Sequence, residues 1–261
     1  MKKSKNPPNI LICNDDGIEA RGIYALSKAL ARIGNVTVVA PDKQQSAVGH
    51  AITVNFPLRV SKFSKNGNFF GYAVEGTPAD CIKLAVRSLL KEKPDLLISG
   101  INHGSNTAIN IIYSGTVSAA TEGTILGIPS IAISLTTYEK PDFRYAAKFA
   151  RELATLVLSK GLPEGTLLNV NVPAVSEKDI HGVALTRQGK TRWDESFEVR
   201  RDPYNKEYFW LTGNLEVIDQ ANDTDQIAIM KNYVSVTPIQ YDLTDYEFLG
   251  RMRAWQIGRL K

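Results

Sequence analysis

Residues 9–17 read Asn-Ile-Leu-Ile-Cys-Asn-Asp-Asp-Gly, an apolar run that stops abruptly at a carboxylate pair and a glycine. Four apolar residues after a Pro pair form a buried strand. Arg21 to Ile33 then places Ile23, Leu26, Ala29, Leu30 and Ile33 at helical spacing, and Val36 to Ala40 is a second β-branched run that Pro41 stops. Strand, helix and strand joined by short loops predict a right-handed crossover in a parallel sheet.

The alternation continues outward. Thr77-Pro78-Ala79-Asp80 carries a capping Thr, Pro at the first helical position and an acid three residues after the cap, which predicts a helix to about Lys91. Leu96 to Ile98 and Ser130 to Leu135 read as strands around a helical stretch from Thr116 to Leu126. Phe143, Ala146, Ala147, Ala150, Leu153, Ala154, Val157 and Leu158 share one helical face, closed by Gly161 and Pro163. The expected fold is α/β, a doubly wound, mostly parallel sheet flanked by helices.

After about Thr166 the texture changes. Leu167 to Val172, Val183 to Thr186 and Tyr233 to Thr237 are strand-like, Asp219 to Asp225 is an acidic turn, and Asp245 to Trp255 reads as a closing helix. The aromatic and charged stretch Glu198 to Leu211 predicts an extended β-hairpin. A single domain over residues 1–261 is expected, with its core at about 9–185 and the hairpin and carboxyl-terminal segment at about 186–261.

Composition excludes several classes. The 261 residues are 43% apolar and 22% charged, which rules out wholesale disorder, and a formal charge of +4 is too small by itself to argue for nucleic acid or membrane. Cys13 and Cys81 sit in separate apolar runs, fitting buried free thiols. The basic start Met-Lys-Lys-Ser-Lys precedes too short an apolar run for a signal peptide, and no apolar span of membrane length occurs. A soluble, cytoplasmic protein is expected.

In open α/β sheets ligands bind beyond the carboxyl ends of the strands, so the loops after the strands carry the chemistry. Asp15 and Asp16 would repel each other unless solvated or sharing a hard cation; an exposed Asx turn is the alternative. Neither Gly-x-Gly-x-x-Gly nor a Walker phosphate loop occurs there. The loop of residues 41–50 offers Ser46, and that of residues 99–106 sets Asn102 and Asn106 among glycines, a texture suited to an anion. Tyr113-Ser114-Gly115-Thr116 opens a helix whose free amides and hydroxyls could hold phosphate oxygens, or simply cap it.

Asn-Asp-Asp-Gly at 14–17, Val-Ala-Pro-Asp at 39–42 with Ser46, Gly-Thr-Pro-Ala-Asp-Cys at 76–81, Ser-Gly-Ile-Asn at 99–102 with Gly104 and Asn106, and Tyr-Ser-Gly-Thr-Val-Ser-Ala-Ala at 113–120 together resemble the SurE survival-protein family of nucleotidases. Asn-Val-Asn-Val-Pro at 169–173, Thr186-Arg187-Gln188 and Val236-Thr237-Pro238 extend the resemblance. The resemblance implies a Rossmann-like core with an extended hairpin and a carboxyl-terminal segment used in oligomer formation, as a homodimer or homotetramer. It implies a metal-dependent phosphomonoesterase releasing phosphate from nucleoside 5′-monophosphates by attack of activated water, with 3′-monophosphates and polyphosphate as further substrates.

Position by position, the resemblance puts the metal ligands on Asp15, Asp16, Ser46 and Asn102, an all-oxygen set suited to one Mg²⁺ or Mn²⁺ per subunit. It puts phosphate contacts on Asn106, Ser114, Gly115 and Thr116, and catalysis on Asp15, Asp16 and Asn106. Ser105 stands where the family usually has Pro. His103 is a candidate for protonating the leaving oxygen or is simply a solvated loop residue.

The basic stretch Arg187, Lys190, Arg192 with Trp193, then Arg200 and Arg201, could meet bases or a polyanion, or serve as a hairpin or subunit contact. No specific nucleic acid or membrane partner is expected. Three rivals are a haloacid-dehalogenase-type phosphatase, a non-catalytic nucleotide or metal sensor, and an assembly protein. The first wants Asp-x-Asp after the first strand, where Gly17 stands in the second acidic position.

Overall fold

The computed structural model describes residues 6–137, 139, 141–255 and 257; the basic run at residues 1–5 lies outside them. Among the described residues, nine strands make the main sheet in the order β3-β4-β2-β1-β5-β6-β7-β11-β8. At its centre, β1 (Asn9–Cys13) pairs in parallel with β2 (Asn35–Pro41) on one side and β5 (Leu96–His103) on the other. The strand order reverses there, so the mouth between β1 and β5 is the expected ligand crevice. Beyond β5 lie β6 (Ser130–Thr136) and β7 (Thr166–Pro173), also parallel.

Side-chain period in these strands sorts residues to two helical layers. Ile10, Ile12, Leu96 and Ile98 face α1 (Arg21–Leu30) and α5 (Arg144–Lys160), whereas Leu11, Cys13 and Leu97 face α2 (Pro78–Leu84) and α4 (Gly115–Ile125). Both cysteines are buried and free in the second layer. Thr77 and Asp80 form the reciprocal cap expected of them, with Asp80 N–H donating to the Thr77 hydroxyl at 3.1 Å and Thr77 N–H donating to Asp80 Oδ2 at 3.0 Å.

Several boundaries move. The first helix stops at Leu30, because the amides of Ile33 and Gly34 turn back to the Leu30 carbonyl. Pro41 closes β2 from inside, its carbonyl accepting from Ile18 N–H at 2.9 Å. The helix after Pro78 relaxes into a π-helical turn over Ala85–Leu89 and ends at Leu90. The stretch from Ser99 to His103 is a continuation of β5, where the pairing with β6 shifts register between Ser99 and Asn102.

An edge hairpin, β3 (Val60–Lys65) and β4 (Asn68–Val74), turns at Asn66 and Gly67 with φ of 52° and 78°, the primed geometry that Asn-Gly favours. β8 (Gly182–Leu185) precedes the ribbon of β9 (Thr191–Arg201) and β10 (Glu207–Val217), longer than the hairpin expected from its aromatic stretch. After α6 (Asp225–Met230), β11 (Tyr233–Gln240) slots between β7 and β8, so the core sheet continues past the expected limit of about residue 185. The closing helix is α7 (Tyr246–Met252), capped by Asp245. No helix among the described residues is long and apolar enough to cross a membrane.

Candidate active site

The carboxylate pair leaves β1 directly into the crevice. Asp15 is buried, and the Thr116 hydroxyl at the start of α4 donates to its Oδ1. A side chain at 115 would close this approach: a Cβ there would lie 2.8 Å from Asp15 Cβ and 3.1 Å from Pro78 Cγ. Asp16 is half-buried and accepts from His103 N–H at 3.0 Å.

Burial pushes the Asp15 carboxyl up to about 6, with the Asp16 charge adding to it and the Thr116 hydroxyl opposing. Burial also raises Asp16, against the His103 amide and the charge of that ring. Neither acid has a Lys or Arg partner among the described residues. Two adjacent carboxylates, one buried and one half-buried, without a cationic side chain are a conflict that a divalent cation resolves.

The asparagines come from β5 and the loop after it. Asn102 Nδ2 donates to Gly104 O at 2.7 Å, which leaves the amide oxygen as its acceptor group. Asn106 is gripped from β7: its N–H donates to Asn171 Oδ1 at 2.8 Å, and its carbonyl accepts from Asn169 Nδ2 at 2.8 Å and Asn171 Nδ2 at 3.1 Å. Its own Nδ2 donates to Ser134 Oγ at 2.8 Å. Asp225, read in sequence as part of an acidic turn, is a buried clasp on the same loop, accepting from Ala108 N–H at 2.8 Å and Gly189 N–H at 2.9 Å. Burial raises its carboxyl above the ordinary range.

Ser46 sits on the exposed loop after β2, its hydroxyl accepting from Gln44 Nε2 at 2.8 Å. That loop is tied down beyond Ser46. His50 Nε2 lies 2.9 Å from buried Glu122 on α4, whose other oxygen accepts from Lys83 Nζ at 2.7 Å. Burial alone would raise Glu122, but the His50 and Lys83 hydrogen bonds hold it below the usual carboxylate range.

Asp15, Ser46, Asn102, His103, Asn106 and Ser114 line one cavity of about 200 Å³. Asp16, Gly115 and Thr116 are not in its lining; Asp16 is tied to it through the His103 amide and Thr116 through its hydrogen bond to Asp15. Ser114 also caps α4, its hydroxyl accepting from Val117 N–H at 3.1 Å. A larger cavity of about 680 Å³, between α1 and α5, includes none of the predicted site residues.

Other sequence expectations resolve differently. The His103 ring donates from Nε2 to Glu139 O at 2.9 Å. The basic stretch is largely neutralised within the chain: Arg187 pairs with Asp219 and Asp223, Arg192 with Glu216, Arg200 with Glu198 and Arg201 with Glu207. It offers little free charge to a polyanion.

The donor set is carboxylate, hydroxyl and amide oxygen, and among the described residues no three His, Cys, Asp or Glu side chains form a metal cluster. Zinc favours nitrogen and sulfur, so the set fits a hard cation completed by neutral oxygens and water. Asn14, next to the pair, keeps a buried Oδ1 without a hydrogen-bond partner among the described residues.

The family described as Survival protein SurE matches residues 10–195. The chain is 51% identical over 259 residues to a protein of Chlorobium luteolum named 5′-nucleotidase SurE, covering 99% of this chain and 100% of that one. It is 52% identical over 255 residues to the 5′-nucleotidase SurE of Chlorobaculum tepidum, covering 98% and 97%. The crystal structure of a SurE protein from Aquifex aeolicus superposes with a TM-score of 0.83 at 43% identity, over 95% of this chain and 99% of that chain.

Proposed function

The chain belongs to the SurE survival-protein family, and on that premise we propose that it is a 5′-nucleotidase, a metal-dependent phosphomonoesterase that converts nucleoside 5′-monophosphates to nucleoside and phosphate. The observation that carries this reading is the adjacent pair of buried Asp15 and half-buried Asp16 at the mouth of β1, opposite the amino-terminal end of α4.

Asp15, Asp16, Ser46 and Asn102 would hold one Mg²⁺ or Mn²⁺. When bound, the ion supplies Lewis acidity to a phosphoryl oxygen and to the attacking water. Asn106 has one amide proton on Ser134 and a second to give. Ser114 accepts from Val117, which leaves its own proton for the substrate. With the Gly115 and Thr116 amides, these groups direct neutral donors at the non-bridging phosphate oxygens, against the positive end of the helix dipole. The Thr116 hydroxyl orients Asp15, and Asp15 or Asp16 takes the proton of the attacking water.

We further infer a homodimer or homotetramer joined through the ribbon, which exposes Phe197, Tyr204, Phe209 and Trp210. Two free buried thiols suit a reducing, cytoplasmic setting. The test is phosphate release from nucleoside 5′- and 3′-monophosphates and polyphosphate, in chelator and then with Mg²⁺ or Mn²⁺ restored. Release that returns with the metal is expected; none under any metal overturns the reading.

A further inference from the structure

The cavity of about 680 Å³ lies in the helical layer of α1 and α5, bounded by those two helices and the end of β3, and shares no lining residue with the Asp15 cavity. Its walls carry seven Lys and Arg side chains and a single carboxylate, in a chain whose formal charge is only +4. We propose that it is a second anion site, separate from the candidate active site, that takes a short chain of linked phosphates such as a triphosphate group, inorganic or nucleotide-borne.

The cations are set out by helical spacing. Arg21, Lys28 and Arg32 follow one side of α1 and the turn after it, and Arg144, Lys148 and Arg151 follow the facing side of α5. Alanines at 25, 29 and 147 lie between these rows and are too short to fill the space, so the helices leave a trough with basic rims. Lys65, half-buried at the end of β3, adds a further cation.

Much of that charge is uncommitted. Arg144 pairs with Asp142 at 2.5 Å, Lys148 with Glu177 at 2.6 Å, and Arg151 only at 3.9 Å with Glu152. Among the described residues, Arg21, Lys28, Arg32 and Lys65 have no acidic partner at all. On the ribbon, by contrast, Arg192, Arg200 and Arg201 each have an acid of their own. The two helices also begin against the usual preference: the first turns of α1 and α5 contain no acid and open with Arg21 and Arg144. The positive end of a helix disfavours cations, so helix stability does not account for them, whereas an anion between the two turns would be attracted by both.

The shape selects a phosphate chain. The volume is that of a small-ligand site, about 300–1,000 Å³, and guanidinium forks match phosphate oxygens. Arg21 and Lys28 are two helical turns apart, about 10 Å, a row that suits several linked phosphates better than one. Nucleic acid would need faces on which bases stack. Here the Tyr24 ring is already taken by Lys65 at 4.3 Å and Lys28 at 5.4 Å and packs on Phe70 at 5.9 Å, while Phe143 is buried.

The experiment titrates tripolyphosphate into chelator-stripped protein by calorimetry at about 0.1 M salt, so that no metal at Asp15 contributes. One site per chain is expected, weakening as salt rises. Arg21→Gln with Lys28→Gln should lower affinity at least about tenfold, and Arg21→Lys with Lys28→Arg should keep most of it. Arg32→Gln with Lys65→Gln reads the same site from other segments should the first variant unfold. Asp15→Asn should bind as the wild type does. Adenosine 5′-triphosphate binding more tightly than tripolyphosphate through the same residues names a nucleotide as the source, and equal or weaker binding names the inorganic chain.

No turnover is read, so the result stands whether or not the chain hydrolyses nucleotides. Absence of tripolyphosphate binding below about 1 mM overturns the site. So does affinity unchanged in both glutamine variants, orthophosphate binding as tightly as tripolyphosphate, or a short single-stranded DNA that binds where tripolyphosphate does not.

Discussion

Around Asp15 polar side chains are buried and hydrogen-bonded, whereas along β9 and β10 apolar side chains face outward. Asn106, Asn171 and Thr116 are almost fully enclosed, and each donates or accepts at a fixed partner. Phe197, Tyr204, Phe209 and Trp210 are each more than half exposed on a ribbon that pairs only with itself. Burying polar groups costs free energy unless they are satisfied, and a bare two-stranded ribbon is marginal in water. The first region holds fixed polar groups around a small cavity, and the second presents apolar surface that nothing among the described residues covers.

The largest expected effect lies at the first region. Asp15→Asn keeps shape and removes charge, so kcat should fall by at least about 10²–10³-fold, measured by phosphate release at saturating metal. Unchanged turnover there would remove Asp15 from the chemistry. Next comes the packing that holds the pair: Gly115→Ala forces a Cβ against Asp15 and Pro78, and should cost about 1–3 kcal/mol in denaturant unfolding while weakening metal affinity. Asn171→Ala strips two hydrogen bonds from buried Asn106 and should cost a similar ~1–3 kcal/mol. If it proves neutral, the β7 clamp is unimportant.

The second region should answer in the opposite way. Phe209→Ser with Trp210→Ser should change unfolding free energy of the isolated chain by less than about 0.5 kcal/mol, yet shift mass by light scattering toward the monomer. Loss of activity without any change in mass would assign the ribbon a different task.

The smallest effect concerns pH. Glu122 is held below the ordinary carboxylate range by His50 and Lys83, so its contribution to stability is present above about pH 4.3 and fades as pH falls through the depressed value. Glu122→Gln should flatten that acid limb in thermal unfolding between about pH 5 and 2. An unaltered slope would mean that the triad does not anchor the Ser46 loop.

What was legible in the sequence depended on how local its cause was. Ile10 to Cys13 followed by Asp15 and Asp16 announced a buried strand delivering charge to the crevice, and Thr77 with Asp80 announced a helix start within four residues. Asn66-Gly67 carried an equally local hairpin signal. By contrast, Asn169 and Asn171 alternate with apolar residues as any strand position might, and their partner Asn106 lies more than sixty residues away. Asp225 has the composition of a turn, and only its distant partners Ala108 and Gly189 make it a clasp. Similarly, Trp193 becomes a wall of the polar cavity because the ribbon's root meets Asn110, to whose Oδ1 the indole donates.

The most direct test of the carboxylate pair as a cation site is a calorimetric titration of Mn²⁺ into chelator-stripped protein and its Asp15→Asn variant. One site per chain in the wild type, weakened about a hundredfold or lost in the variant, is the predicted result. Equal binding by both proteins, or none by the wild type, would contradict it.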